Sequence, residues 1–390
     1  MTYMKIIVAP NSFKGCLKST ELFKIIEKEI KKIIPFAEII KFPIADGGDG
    51  TLEVLKYLIS GIYVKTVAKD PLGRKIKTKY LKKGKIAYIE MAKVSGLALL
   101  KENEKNPLKT STYGLGEIII DAIKRGCKKI YIGVGGSATN DGGIGFLTAC
   151  GFKFIDKNGN IIFPGKGEDL LKIKKIEYPE NYNELKKIKF IVLSDVENPL
   201  YGKNGATFVY GPQKGADIKM VKLLDKGLRH YAKLIKKYTG IEINKIKGSG
   251  AAGGVSAGFI SFLNAEIVSG IEEILKIGKF EEKIKNSDLI ITGEGKIDKQ
   301  TLYGKAVGVI LKYSEKYKIP AIVLAGIVDE KVYKFLKNDF ISIFSIVPGP
   351  VSLEKSIKNA EKYIRFKINE IFKWVMFENS HLKMLKCGYG

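Results

Sequence analysis

Histidine, tryptophan and cysteine are scarce in this chain of 390 residues, which carries two, one and four of them. His230 and His381 alone leave little for a His-rich metal centre or a serine–histidine nucleophile. Cys16, Cys127, Cys150 and Cys387 share no short spacing, which excludes a CxxC metal site and a disulfide framework and leaves buried free thiols. The longest apolar stretch beside a predicted strand, residues 319–328, falls far short of the roughly 20 residues of a membrane helix. The N-terminus has no charged-then-apolar signal pattern, so the expectation is a cytoplasmic protein without membrane contact. Internal repeats and low-complexity linkers are missing too. Any chemistry falls to carboxylates, lysines and backbone amides.

What is abundant is positive charge, +26 at pH 7. The cations are nearly all lysines spread over every segment, often as pairs beside isoleucine, without an aromatic-interleaved basic motif. That distribution reads as solvated lysine faces and not as a specific nucleic-acid interface, although it favours small anions. With 45% hydrophobic residues, the chain can bury a full core and has the length of two domains.

The coarse pattern is α/β. Strand 5–9, helix 19–34, strand 38–42 and helix 52–58 make a βαβα start, and alternating segments at 62–68, 75–81 and 85–90 read as antiparallel structure leaving the parallel sheet. A helix at 113–124, strands at 128–132 and 190–193, and a glycine–alanine segment at 248–258 follow. The βα texture returns with strands 289–292, 321–325 and 341–346 and a last helix over about 353–375. The expected fold is a Rossmann/flavodoxin-like domain with one five-stranded parallel sheet, built from residues 1–61 and 284–377. A mixed α/β domain over 62–283 is inserted in it, the active site lies in the interdomain cleft, and residues 378–390 form a frayed tail.

The densest local signal is Gly133–Gly145, GVGGSATNDGGIG, in which six of thirteen residues are glycine. It follows a predicted strand, so it sets backbone N–H groups where α/β sheets bind ligands. Its first residues match G-x-G-x-x-A, yet Thr139–Gly143 prolong the loop where a dinucleotide fingerprint would open into a helix. A phosphate or carboxylate cradle is the preferred reading, and a purely structural glycine turn is the alternative. Nothing matches G-x-x-x-x-G-K-[ST] or the protein-kinase motif set. The turn Asp46–Gly50 resembles a calcium loop, but Tyr57 stands where a bidentate Glu is required.

Carboxylates recur after predicted strands at Asp46, Asp195, Glu294 and Asp298, and lysines accompany them at Lys14, Lys214 and Lys296. That is the complement phosphoryl transfer asks for: ligands for Mg²⁺, a base, and cations for the moving charge.

The segments IIVAPNSFKG (6–15), PIADGGDGT (43–51), DPLGR (70–74), IEMAKVSGL (89–97), TSTYGLGE (110–117), GVGGSATNDGG (133–143), SDVENPLYG (194–202), GPQKGAD (211–217), GSGAAGGVSAG (248–258) and TGEGKIDKQTLYGKA (292–306) resemble, in order, the successive blocks of the bacterial glycerate kinase family. The resemblance implies ATP-dependent, Mg²⁺-assisted phosphorylation of D-glycerate, giving 2-phosphoglycerate and less often the 3-isomer. Asn11, Cys16 and Tyr303 depart from the residues frequent in the family.

In such a mechanism a carboxylate must relieve the attacking hydroxyl of its proton. Asp195 is the first candidate and Asp298 the rival, with Asp46 and Glu294 as metal ligands. Lys14 and Lys214 would pair with the substrate carboxylate or the transferring phosphoryl group. Ser12, Gly135, Gly136, Ser137, Asn140, Gly253, Gly254, Gly293 and Gly295 would bind substrate or nucleotide, either glycine loop taking either anion. A monomer or homodimer is expected. A nicotinamide-linked hydroxyacid enzyme and a basic nucleic-acid-binding protein are the competing classes.

Overall fold

The computed structural model describes residues 4–13, 15–298, 301, 306–334 and 340–387. The chain forms two compact units, Met1–Ala45 with Ile274–Gly390, and Asp46–Glu273. The division falls at 45/46 and 273/274, earlier on both sides than the 61/62 and 283/284 read from sequence. The first shift has a local cause. Helix Thr51–Leu58 buries Leu52, Val54 and Leu55, and its first N–H groups are capped from the second unit. The buried Glu90 carboxylate accepts from Gly50 N (3.3 Å) and Leu52 N (3.1 Å).

Fourteen strands among the described residues carry the fold. β1 (Lys5–Pro10) and β2 (Glu38–Lys41) open it. The second unit holds β3 (Ile62–Lys69), β4 (Lys75–Lys83), β5 (Ile86–Glu90), β6 (Lys129–Gly133), β7 (Lys153–Ile155), β8 (Ile161–Ile162), β9 (Lys175–Glu177), β10 (Lys189–Leu193) and β11 (Glu266–Val268). β12 (Leu289–Ile297), β13 (Ala321–Val328) and β14 (Ile341–Ser345) return to the first unit.

The first unit is the five-stranded sheet expected, in the order β14-β13-β12-β1-β2 and parallel throughout. Its central strands are apolar on both faces: Ile6, Val8, Ile291 and Leu324 share one face and cluster with Leu22, Phe23 and Ile26 of helix Ser19–Ile33 and with Ile364, Ile368 and Phe372 near the C-terminus, while Ile7, Ile290 and Val323 on the opposite face are fully buried as well.

Two details differ from the sequence reading. β12 runs on to Ile297, since a Cβ at Gly293 would stand 2.2 Å from Leu324 O and one at Gly326 2.6 Å from Gly295 O; the glycines that resemble a loop allow close pairing with β13. The C-terminal helix is two. Leu353–Lys358, capped by Ser352 Oγ accepting from Lys355 N (3.2 Å), stops at Asn359, and Ala360–Cys387 continues helical where a frayed tail was expected.

The second unit carries a six-stranded sheet, β11-β10-β6-β5-β4-β3. β3, β4 and β5 pair antiparallel as predicted, whereas β5, β6, β10 and β11 run parallel. The three-stranded sheet β8-β7-β9 goes unseen in the sequence because each of its strands has only two or three residues.

Candidate active site

Register places the site. Glu90 pairs with Gly133, Gly133 with Leu193, and Leu193 with Val268, so the four parallel strands of the second unit end side by side. The turns after them emerge along one edge: Gly135–Ser137 after β6, Ser194–Asp195 after β10, and Ser269–Gly270 after β11.

The turn Asp46–Asp49 is packed onto this edge through bare backbone. Gly47 O accepts from Gly135 N (3.2 Å). A Cβ on Gly133 would lie 2.5 Å from Gly47 O, one on Gly135 2.5 Å from Gly48 Cα, and one on Gly270 2.3 Å from Asp46 O. Three segments distant in sequence thus meet at contact only glycine allows.

Asp195 sits where these turns meet. Its Oδ1 accepts from Ser269 Oγ (2.7 Å) and Gly270 N (2.9 Å), while its Oδ2 is buried without a hydrogen-bond partner among the described residues. Burial pushes the carboxyl up to about 6, helped by the nearby Asp46 charge and resisted by hydrogen bonding from Ser269 and from the backbone of Gly270 and Ile271. Asp46 is half-buried, and its Oδ1 accepts from Gly48 N (3.0 Å).

The glycine loop is anchored from below. Lys214, 2% exposed, donates through Nζ to Ser137 Oγ (2.8 Å) and Thr139 O (2.7 Å). Burial lowers this ammonium to about 7 against the pull of Asp141. Because the Ser137 oxygen accepts from Lys214, its own O–H is left to donate elsewhere. Gly135 and Gly136 form the accessible crest of the loop.

Behind the crest, the fully buried Asp141 takes Thr112 N (2.8 Å) and Thr112 Oγ1 (2.7 Å) on Oδ2, with Gly145 N (3.3 Å), and Gly143 N (3.1 Å) on Oδ1. Desolvation raises its carboxyl, and these four donors oppose the rise.

Other sequence candidates have different tasks. Asn140 is buried and its Nδ2 donates to Thr207 Oγ1 (3.0 Å). Gly253 and Gly254, read as donors to an anion, are buried against the first glycine loop: Gly253 O accepts from Gly142 N (3.0 Å), and Gly254 N donates to Gly250 O (3.3 Å). Gly253 has φ +71°, and a Cβ there would stand 2.1 Å from Thr139 O. Gly253→Ala should therefore lower stability by roughly 2–4 kcal/mol through left-handed strain and a backbone clash, readable as a fall in Tm.

In the first unit, Ser12 follows β1, its N–H donating to Asn11 Oδ1 (2.8 Å), and Asn11 N donates to Gly293 O (2.8 Å). Glu294 and Gly295 lie half-buried within β12. The Asp298 carboxylate accepts from Thr301 N (3.1 Å) and Thr301 Oγ1 (3.3 Å), with Lys296 Nζ at 3.8 Å. The structure thus groups Asp46, Asp195, Gly135, Gly136, Ser137 and Lys214 in the second unit, and Ser12, Gly293, Glu294, Gly295 and Asp298 in the first. Lys14 and Tyr303 lie outside the described residues.

Sequence reasoning passed over Ser269 and Asp141. Ser269 had a readable signal: Ser269-Gly270-Ile271-Glu272 is an S-x-x-E capping signature directly after an apolar run. Asp141 had none beyond standing among glycines.

No group of three or more His, Cys, Asp or Glu able to hold a metal ion occurs among the described residues, and no helix there is long and apolar enough to cross a membrane. Compared with known proteins, residues 6–376 match the glycerate kinase family. A glycerate kinase of Bacillus cereus is 41% identical over 370 residues, 94% of this chain and 97% of its own length. A glycerate 2-kinase of Escherichia coli is 39% identical over 92% of this chain and 94% of its own. A solved structure from Salmonella typhimurium LT2, assigned as glycerate kinase 2, superposes with a TM-score of 0.82 at 36% identity, covering 97% of this chain and all of that one.

Proposed function

The chain belongs to the glycerate kinase family, and we propose that Asp195 is the base of its reaction, the ATP-dependent phosphorylation of glycerate to 2-phosphoglycerate. The observation that supports this assignment is the division of labour on one carboxylate. Oδ1 is pinned by Ser269 and Gly270, and Oδ2 is buried with no hydrogen bond made among the described residues, so its lone pairs are uncommitted and can take a proton. The hydroxyl of glycerate attacks the γ-phosphorus as its proton passes to Oδ2, the bond to the ADP oxygen breaks, and ADP leaves. Asp298, whose carboxylate accepts from Thr301, is the weaker candidate.

Ser137, with its O–H freed by Lys214, and the exposed Gly136 suit an anionic oxygen of the reactants, whereas the Gly135 N–H already serves Gly47 O; D-glycerate is the proposed acceptor. Magnesium is compatible with what surrounds them, since it takes one or two carboxylates together with phosphate oxygens and water and needs no all-protein cage. Its candidate ligands are Asp46 in the second unit and Glu294 in the first, each taken by itself, and when bound it would neutralise phosphate charge.

Purified protein given Mg·ATP and D-glycerate should release ADP, and the ³¹P spectrum of the product should be that of 2-phosphoglycerate. ADP release that does not depend on glycerate would count against the reading, and tight NAD binding would favour a nicotinamide-linked enzyme. A base must be ionised to work. With Asp195 at about 6, kcat/KM should fall about tenfold per pH unit below that value and stay level above it. An acid limb centred near 4 would remove Asp195 from the role.

A further inference from the structure

Ser269 stands directly after β11 and makes two contacts of different kinds. Its Oγ accepts from Glu272 N (3.3 Å), which caps helix Gly270–Ile277, and the same hydroxyl donates to Asp195 Oδ1 (2.7 Å). A serine hydroxyl has one proton to give, and here it goes to the carboxylate. Together with Gly270 N it occupies Oδ1 and leaves Oδ2 as the buried oxygen on which no hydrogen bond is made among the described residues.

The placement is decided by the sheet. Ser194 N donates to Val268 O (3.0 Å), so the turns after β10 and β11 leave their strands in step, and the hydroxyl is held beside the carboxylate by backbone pairing and not by a long side chain. We infer that Ser269 is a positioning residue for phosphoryl transfer: its hydroxyl fixes the rotamer of Asp195 so that Oδ2 faces the hydroxyl to be phosphorylated. This inference rests on Asp195 being the base.

A helix cap alone would give the serine a purely structural role, and four variants of the full chain separate the two. Ser269→Ala loses both contacts. Ser269→Thr keeps both. Ser269→Asp is an equally good cap but sets a second carboxylate against Asp195. Under the inference, Ser269→Ala lowers kcat about tenfold with the KM values for glycerate and ATP within about twofold, since orientation of the base is used in the chemical step. Ser269→Thr restores kcat to within about threefold, and Ser269→Asp falls below Ser269→Ala.

The fourth variant combines Ser269→Ala with Asp195→Asn, where the serine substitution should cost nothing further. If Asp195→Asn is inactive while Ser269→Ala turns over like the parent, the inference fails and the base stands. If Ser269→Asp matches or exceeds Ser269→Ala, the role is that of a cap and the inference fails again. If Asp195→Asn is itself active, the base assignment fails and the inference with it.

Discussion

Asp195→Asn should lose roughly 10³-fold or more in kcat, the scale on which a positioned general base contributes, with ATP binding unchanged. The substitution is isosteric, and its amide oxygen can still accept from Ser269 Oγ and Gly270 N. What disappears is the proton acceptor at the position of Oδ2, which would carry an NH₂ group instead. Folding should be little affected, because a desolvated carboxylate is exchanged for a neutral group of the same shape.

The measurement is single-turnover kinetics beside a calorimetric titration with nucleotide. Weak turnover with intact binding is the expected pair of results. An active variant would shift the role to Asp298, and then Asp298→Asn should be inactive although its carboxylate already serves Thr301.

Asp141→Ala should destabilise the second unit by about 4–6 kcal/mol, enough to abolish soluble expression at 37 °C if that unit has ordinary domain stability. The carboxylate is fully buried and takes four hydrogen bonds, three of them from backbone N–H groups of Thr112, Gly143 and Gly145. Alanine leaves those donors buried without an acceptor, at roughly 1–3 kcal/mol each. It also removes the negative partner that helps keep Lys214 charged.

Asp141→Asn keeps one acceptor oxygen but turns an NH₂ toward donors, so about half of the loss should remain. Urea unfolding followed by far-UV circular dichroism reports this. Tryptophan fluorescence would not, since the single tryptophan, Trp374, lies in the first unit. A loss below about 1 kcal/mol would show that the donors find other acceptors and that Asp141 does not hold the loop.

Elements with strong periodicity were legible. The five strands of the first unit's sheet read correctly because apolar runs such as Ile6–Ala9 and Ala321–Ala325 are short, continuous and separated by helical stretches, the pattern of a parallel sheet covered on both faces. The extension of β12 was hidden, since Gly293 and Gly295 resemble a loop until their close pairing with β13 is seen. The compact units divide before helix Thr51–Leu58 and not after it for a related reason: its first N–H groups are capped by Glu90, a residue remote in sequence.

By itself the sequence determined the α/β class, the carboxylates and lysines available for chemistry, and, through ordered motif blocks, the family. Those properties live in local composition, periodicity and residue identity, which the chain carries before it folds. Tertiary structure alone decided which glycines are exposed and which face another backbone. In GVGGSATNDGGIG only Gly136 is exposed, Gly135 is half-buried against the backbone of Gly47 and Gly48, and Gly133, Gly142, Gly143 and Gly145 are buried in close packing. It also decided how the Asp195 carboxylate is held, with Oδ1 bonded and Oδ2 buried without a hydrogen bond among the described residues, because that depends on Ser269 and Gly270 arriving from a strand paired beside β10, a consequence of register that no local stretch of sequence contains.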